Sequence, residues 1–593
     1  MSVIVAIARK LESRRSVKWI VYGSIIGVVS ALGAAFFFVC LEWGKFFCFE
    51  YLAGFKLTHP AGEHLVRREV STEFRRWLMV LLPAIGGLIS GFIVYTWAPE
   101  AEGHGTDAMI DAFHNRKGLV RWRVPYVKSL ASIVTLATGG SAGREGPIAQ
   151  IGSGFGSWLA QVLNLSARDR RIMLLAGCAG GLGAIFRAPI GGALTAVEVL
   201  YREDFESEAI VPCVISSVVA YSLFTTAFGF QPIFDIPHVR FTNPKELLLY
   251  AMLALICVPF GFLYVKFFYG LRDRFFRPLP LKNHFKPALG GLVVGLIGLG
   301  FPQVLSGGYG TIQQALYGQL SVSLMFALAF MKIMATSFTI SSGGSGGVFG
   351  PSLYIGAMIG GAVGHLGNIL FPGVVSHPGA FALVGMGAFF AGVAKAPLGA
   401  LMMVSEMTQG YGLLVPLIFA STITMILSQK WHLYEKQVLN KFASPAHRAE
   451  AVVNVLQGLT VRDVCPTDRS VTMLPIDMTL GELKRLMART DETFFPVVDQ
   501  SFRLKGILAL PRIRGVVLEE DVLSDLVVVG ELMSDPVFIR WDESLDQVLI
   551  KFLKSGYYRL PVINDAGEFE GMFGLDELVS AYHSEITRLK GEE

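Results

Sequence analysis

Two stretches of the chain, SAGREGPIAQIGSGFG at 141–156 and SGGVFGPSLYIGAMIG at 345–360, coincide at an offset of 204. They match at Ser141/Ser345, Gly143/Gly347, Gly146/Gly350, Pro147/Pro351, Ile151/Ile355, Gly152/Gly356 and Gly156/Gly360. Each reads as a Gly-rich turn that opens an apolar helix. Helix starts carry free amides and the positive end of the helix dipole. Two such starts brought together at mid-membrane form an anion site from backbone alone. The copies differ at their centre, where Glu145 stands against Phe349. A second pair, FRAPIGGALTAVEVL (186–200) and AKAPLGALMMVSEMT (394–408), coincides at an offset of 208 through Ala188/Ala396, Pro189/Pro397, Gly191/Gly399 and Glu198/Glu406. Two motifs repeating at nearly one offset indicate an internal duplication. Spacing alone leaves open whether the halves run parallel or inverted.

The duplication lies in a membrane protein. Hydrophobic residues make up 52% of the chain and mean hydropathy is +0.51, far from a soluble profile. Apolar spans are expected at 18–39, 77–97, 209–230, 247–268, 285–301, 321–340, 378–394 and 412–428, with broken segments around 129–160, 171–200 and 351–372. Interrupted backbone is tolerated at membrane depth only where protein or a polar cavity satisfies it. The 65 glycines concentrate in these segments and favour closely packed, discontinuous helices. Arg9, Lys10, Arg14, Arg15 and Lys18 precede the first span, which predicts a cytoplasmic N-terminus without a cleavable signal peptide. A net charge of +4 is too small to indicate nucleic acid. The six scattered cysteines form no CxxC pair, so neither a metal site nor a disulfide framework is expected.

Composition changes near residue 435. Residues 1–435 read as the membrane domain, with repeats at about 17–230 and 245–435; 436–458 is a mixed, charged linker; 459–587 reads as a soluble α/β module. That module repeats too. FPVVDQSFRLKGILAL (495–510) lies over LPVINDAGEFEGMFGL (560–575) at an offset of 65, and an amphipathic helix precedes each copy.

GREGP at 143–147 is the sharpest candidate site. An ionisable residue inside a membrane region is costly and is by default a functional candidate. Glu145 stands in a turn whose next residues begin a helix, so its carboxylate is an anion at an anion site. It can occupy the site, or leave it when protonated or displaced. The plainer alternative is a helix-capping carboxylate that only satisfies amides.

With these residues in hand, 17–435 resembles the CLC family of chloride channels and chloride/proton exchangers. The resemblance rests on GREGP, GVFGP at 347–351, the GxGxx turn at 103–107, both AP…E segments, and Tyr434 in WHLYEKQVL. It implies a polytopic α-helical fold with inverted repeats and broken helices. It implies Glu145 as the gate, with His104, Gly146, Val348, Phe349 and Tyr434 around the anion, and Lys128 and Arg144 adding positive potential. It also implies a homodimer with one pore per subunit, built on helices within 171–230 and 397–430. A multi-pass location in the cell (inner or plasma) membrane is expected.

Two positions depart from the family pattern. The first turn carries His104 where Ser is usual; its ring either supplies an N–H donor, cationic at low pH, or points away and leaves a backbone amide in its place. The position of the internal proton-transfer glutamate holds Val199, which cannot carry a proton. Val199 tips the expectation toward a gated chloride channel, with chloride/proton exchange as the alternative. A cation transporter bearing the same C-terminal module is a distant third, since identifiable intramembrane carboxylates are few. No GxxxxGK[ST] or HExxH motif suggests an enzyme. The C-terminal pair resembles tandem CBS domains on the cytoplasmic face. Adenine nucleotide is only weakly supported there: the positions for ribose contact hold Arg512 in one copy and Asp576–Glu577 in the other.

Overall fold

The computed structural model describes residues 15–63, 65, 73–236, 239–447, 455–465, 471–517 and 524–590. Arg9, Lys10 and Arg14, on which the N-terminal orientation partly rests, lie outside the described residues; Lys18 pairs with Asp169 at 2.6 Å. The chain divides into two compact units, Met1–Asn440 and Lys441–Glu593.

The first unit contains two successive sets of eight α-helices among the described residues. The first set is α1 Arg15–Lys45, α2 Arg76–Trp97, α3 Thr106–His114, α4 Arg123–Ala137, α5 Glu145–Val162, α6 Ala167–Phe186, α7 Pro189–Glu198 and α8 Ile210–Phe228. The second is α9 Glu246–Leu271, α10 Lys286–Gly300, α11 Tyr309–Leu316, α12 Val322–Ser341, α13 Phe349–Leu370, α14 Pro378–Ala394, α15 Pro397–Thr408 and α16 Leu414–Leu427. Six helical stretches, among them Arg76–Trp97, Val322–Ser341 and Phe349–Leu370, are long and apolar enough to cross a membrane. The helices break where the local chemistry requires it. Arg187 (φ 52°) and Lys395 (φ 56°) end α6 and α14 in the left-handed region, and the Ala-Pro that follows each starts the next helix. Proline is accepted at a helix start because its missing N–H would be unpaired there anyway.

Hydrogen bonding shows how the two halves meet. The Gly143 N–H donates to the Gly347 carbonyl at 2.7 Å, and the Gly347 N–H returns a bond to Gly143 at 2.6 Å, in an antiparallel bridge. Equivalent residues that exchange equivalent bonds sit on a local two-fold axis between the halves, in keeping with the inverted repeats that the resemblance implies. The relation extends outward. Ser141 Oγ donates to the Val304 carbonyl (2.8 Å), and Ser345 Oγ to that of Ala101 (3.0 Å). Glu198 accepts the N–H groups of Leu398 (3.1 Å) and Gly399 (2.7 Å); Glu406 accepts those of Ile190 (3.1 Å) and Gly191 (2.7 Å). Each glutamate thus caps the start of α15 or α7 in the other half. Small residues bring the helices together: a Cβ at Gly152 would fall on the Gly177 carbonyl, and one at Gly356 on that of Gly385.

Among the described residues, the second unit holds two three-stranded sheets. In the first, β1 (Leu474–Pro475) runs parallel to β2 (Phe494–Val498), which is antiparallel to β3 (Leu504–Ala509). The second repeats the arrangement with β4 (Ile539–Arg540), β5 (Arg559–Ile563) and β6 (Phe569–Gly574). The register repeats as well, Leu474 facing Val497 and Ile539 facing Val562, with an irregularity after each of these central valines.

Candidate functional site: a carboxylate between two helix starts

The starts of α5 and α13 meet at the Gly143–Gly347 bridge, and Glu145 is buried there, 1% exposed. Its Oε2 accepts the Gly350 N–H at 3.1 Å, from the first turn of the other half's helix. Its Oε1 accepts a hydrogen bond from the Tyr309 hydroxyl at the start of α11. The carboxylate therefore rests on two donors from the second repeat, besides its own backbone N–H. Its counterpart Phe349 has gone into an aromatic cluster, with ring centres 5.2 Å from Phe186 and 4.1 Å from Phe390. Val348 is the residue preceding α13, and Gly146 packs against the His104 carbonyl and the Cα of Gly347.

Arg144 and Lys128 hold this junction rather than stand free beside it. The Arg144 guanidinium forms a two-pronged ion pair with Glu63, at 3.1 and 2.5 Å, with both side chains buried. It also lies 4.7 Å from the Tyr309 ring centre. The positive potential expected of Arg144 is therefore largely matched by Glu63. Lys128 Nζ donates to the carbonyls of Ala101 (3.1 Å) and Gly103 (2.7 Å), fixing the turn before α3. Lys332, 204 residues on, does the same for Val304 (2.9 Å) and Ser306 (2.8 Å) before α11.

Two cavities approach the junction along this symmetry. One, about 160 Å³, includes Pro302, Gln303, Ser306, Gly308 and Tyr309 in its wall. The other, about 520 Å³, is lined at repeat-related positions by Pro99, Glu100, Gly103 and Gly105, and also by His104. Tyr434 is buried beside His104, with ring centres 5.5 Å apart, and shares a hydrogen bond with the Thr106 hydroxyl. Asp107 accepts the N–H groups of Glu435 (3.2 Å) and Lys436 (3.0 Å), which anchors the segment just after Tyr434. The predicted residues thus fall into two groups: Glu145, Gly146, Val348 and Phe349 at the junction, His104 and Tyr434 toward the larger cavity. Val199 lies apart from both; it is buried and its carbonyl accepts Gln437 Nε2 at 3.0 Å.

Residues 86–429, more than half of the chain, match the family described as voltage gated chloride channel. The chain belongs to this CLC family. CBS domains match at 461–527 and 529–584. The H(+)/Cl(-) exchange transporter ClcA of Vibrio parahaemolyticus is 33% identical over 374 residues, covering 61% of this chain and 79% of that protein. A putative chloride channel protein, ClcB-like, of Ralstonia nicotianae is 32% identical over 58% of this chain and 81% of its own. Among solved structures, a slow cyanobacterial Cl-/H+ antiporter superposes with a TM-score of 0.60 at 24% identity, covering 70% of this chain and 94% of its own. A eukaryotic CLC transporter superposes at 0.58 and 20% identity, over 95% and 98%. These two likenesses concern the fold.

Sequence reasoning missed Glu63, Asp107, Tyr309 and Lys332. Lys332 was within reach, since the 204-residue offset applied to Lys128 lands on it. Glu63 and Tyr309 bear on Glu145 and Arg144 only through tertiary contacts that no local motif marks.

In the CBS pair, Glu577 accepts the Gly574 N–H at 2.8 Å, and Asp576 stands beside it in the first turn of the final helix, Leu575–Lys590. Arg512 donates to the Tyr557 hydroxyl at 2.9 Å and lies over its ring. Arg512 and Glu577, both at positions expected to meet a ribose, are thus engaged within the protein.

Proposed function

We propose that the protein exchanges chloride for protons across a membrane, with Glu145 as the shared element. One observation carries this reading: the Glu145 carboxylate occupies the Gly350 amide at the meeting point of two helix starts. A chloride ion that takes those amides must displace the carboxylate. A proton that neutralises the carboxylate weakens its hold on them, since an amide donates more strongly to an ionised acceptor. Anion and proton therefore compete through the same few atoms. The channel expectation drawn from Val199 gives way to its alternative, because the Vibrio relative bears the name of an exchanger.

Family membership supports chloride as the anion. The proposal includes a homodimer and a cytoplasmic face for the C-terminal unit. Exposed Val211, Val214 and Val218 on α8, with Val415 and Ile418 on α16, offer an apolar face for a second copy.

The test is flux into liposomes holding the purified full chain. A chloride gradient is expected to drive protons uphill at a fixed stoichiometry. Glu145→Gln, which keeps the shape and loses the titration, is expected to abolish proton movement by about a hundredfold or more. Chloride flux without uphill protons in the unsubstituted protein overturns exchange in favour of a channel.

A further inference from the structure

The exchange reading leaves one question of chemistry, which is what side chain passes protons between the larger cavity and Glu145 when Val199 cannot. We propose that His104, oriented by Asp107, is the proton-carrying group on that side.

His104 is 7% exposed and lines the 520 Å³ cavity. Its Nε2 lies 3.2 Å from Asp107 Oδ2, and its buried Nδ1 has no hydrogen-bond partner among the described residues. A carboxylate only accepts, so Nε2 carries the hydrogen and Nδ1 presents a lone pair. Asp107 is itself fixed by the N–H groups of Glu435 and Lys436, so the ring has a rigid partner. The position is also correct. The His104 carbonyl fills the space that a side chain on Gly146 would need, which places this residue against the neighbour of Glu145. Imidazole is the ordinary side chain that gains and loses a proton near neutral pH.

The groups that face His104 complete the electrostatics. From its own segment come Asp107 and Glu102; Lys128 reaches the turn from α4, and Tyr434 stands across the ring. Around the cavity stand Tyr95, Glu100, Arg272, Arg277, Lys286, Glu435 and Lys436. Arg272 is engaged by Glu435 at 2.7 Å, and the Asp107 carboxylate lies 3.2 Å from the ring.

Nδ1 takes a proton from cavity water, forming one N–H bond and an imidazolium beside the Asp107 carboxylate. That N–H bond breaks as the proton leaves along water toward Glu145, whose carboxylate becomes a neutral acid and loosens from the Gly350 amide. Imidazole returns to its starting form.

The inference rests on the exchange reading, and one experiment separates the two. Purified full chain in liposomes is followed with chloride and pH electrodes together, and the protons moved per chloride are compared among the unsubstituted protein, His104→Ser and Glu206→Gln. Glu206 is the rival acid, buried, with its N–H donating to the Val197 carbonyl at 2.9 Å and its carboxylate bonded to the Tyr201 hydroxyl at 2.8 Å. The expected result is a ratio lowered about tenfold or more in His104→Ser and held in Glu206→Gln. A full ratio in His104→Ser overturns the role of His104 while exchange stands. No uphill protons in the unsubstituted protein overturns both. Loss of coupling in Glu206→Gln alone moves the role to Glu206. If His104→Ser does not fold, Asp107→Asn keeps the ring but removes its charge partner. The protons moved per chloride and the pH profile of proton flux are then both expected to change, and an unmoved profile overturns the proposal.

Discussion

The two halves of the membrane unit share a framework and differ in what they present to the anion. The framework repeats bond for bond: the paired glycines at 143 and 347, the serines at 141 and 345, the lysines at 128 and 332, and the glutamates at 198 and 406. The lining does not. Where the first half has Glu145, the second has Phe349 in an aromatic cluster; where the second has Gly307, the first has His104. Titratable chemistry is thus concentrated in the first repeat, while two donors that receive the Glu145 carboxylate, Gly350 and Tyr309, come from the second. Duplication supplies two equivalent helix starts, and divergence lets one half compete for what the other offers.

If this division holds, framework substitutions act equally in both halves, and lining substitutions do not. The largest effect is expected where helix backbones touch. Gly152→Ala and Gly356→Ala each drive a methyl onto a carbonyl of the neighbouring helix, Gly177 or Gly385. Each is expected to cost about 3 kcal/mol or more, read as loss of monodisperse protein on size exclusion. One variant behaving normally while the other fails would break the equivalence.

Much of the framework was readable beforehand because it depends on residue types that mark themselves. Glycines and prolines at a constant offset announced the helix starts at 145, 189, 349 and 397, and Glu198 and Glu406 stood out as carboxylates in apolar runs. The third pair of starts, at Thr106 and Tyr309, was not legible as a repeat. GHGTD and SGGYG share little beyond Gly105 and Gly308, both in the left-handed region, which is a backbone requirement with almost no side-chain trace. The two-fold relation between the halves was equally hidden, since it is a relation in space that the reciprocal Gly143–Gly347 bonds express.

The capping glutamates sharpen the same contrast at intermediate energy. Glu198→Gln and Glu406→Gln each replace an acceptor of two N–H groups with a weaker one that brings a donor of its own. Both are expected to lower stability by about 2 kcal/mol, within a few tenths of each other, as measured by thermal unfolding in detergent. A loss of proton coupling confined to Glu198→Gln would instead show that Glu198 belongs to the lining. Tyr309→Phe then probes the lining directly. It removes the hydroxyl from Glu145 and leaves the ring over which Arg144 lies. Loss of a hydrogen bond to a charged group is worth about 1.5 kcal/mol, so chloride turnover is expected to rise about tenfold at pH above neutrality. Thr106→Ala, at the matching helix start, is expected to leave that pH dependence in place because Thr106 meets Tyr434 instead.

The smallest expected effect tests whether the same logic governs the second duplication in the chain. The hairpins of the CBS pair repeat at an offset of 65, yet Phe502 (φ 58°) occupies the left-handed position that Gly567 (φ 83°) fills in the other copy. A side chain with a Cβ is strained there by about 1–2 kcal/mol, and Phe502 recovers little of this because its ring is 59% exposed. The backbone duties are the same in both copies: Phe502 O accepts the Phe569 N–H at 2.9 Å, and Gly567 O accepts that of Leu504 at 3.1 Å. Phe502→Gly is therefore expected to stabilise the second unit by somewhat under about 1 kcal/mol, after the extra freedom of glycine in the unfolded chain is subtracted. Gly567→Ala is expected to destabilise it by a similar amount, since its Cβ would meet nothing within 4 Å and only the backbone objects. Chemical denaturation of the full chain, followed by a probe in the CBS strands, reads both. A destabilised Phe502→Gly would mean that the exposed ring has a contact outside its own unit, and would make that turn a docking point instead of a tolerated strain.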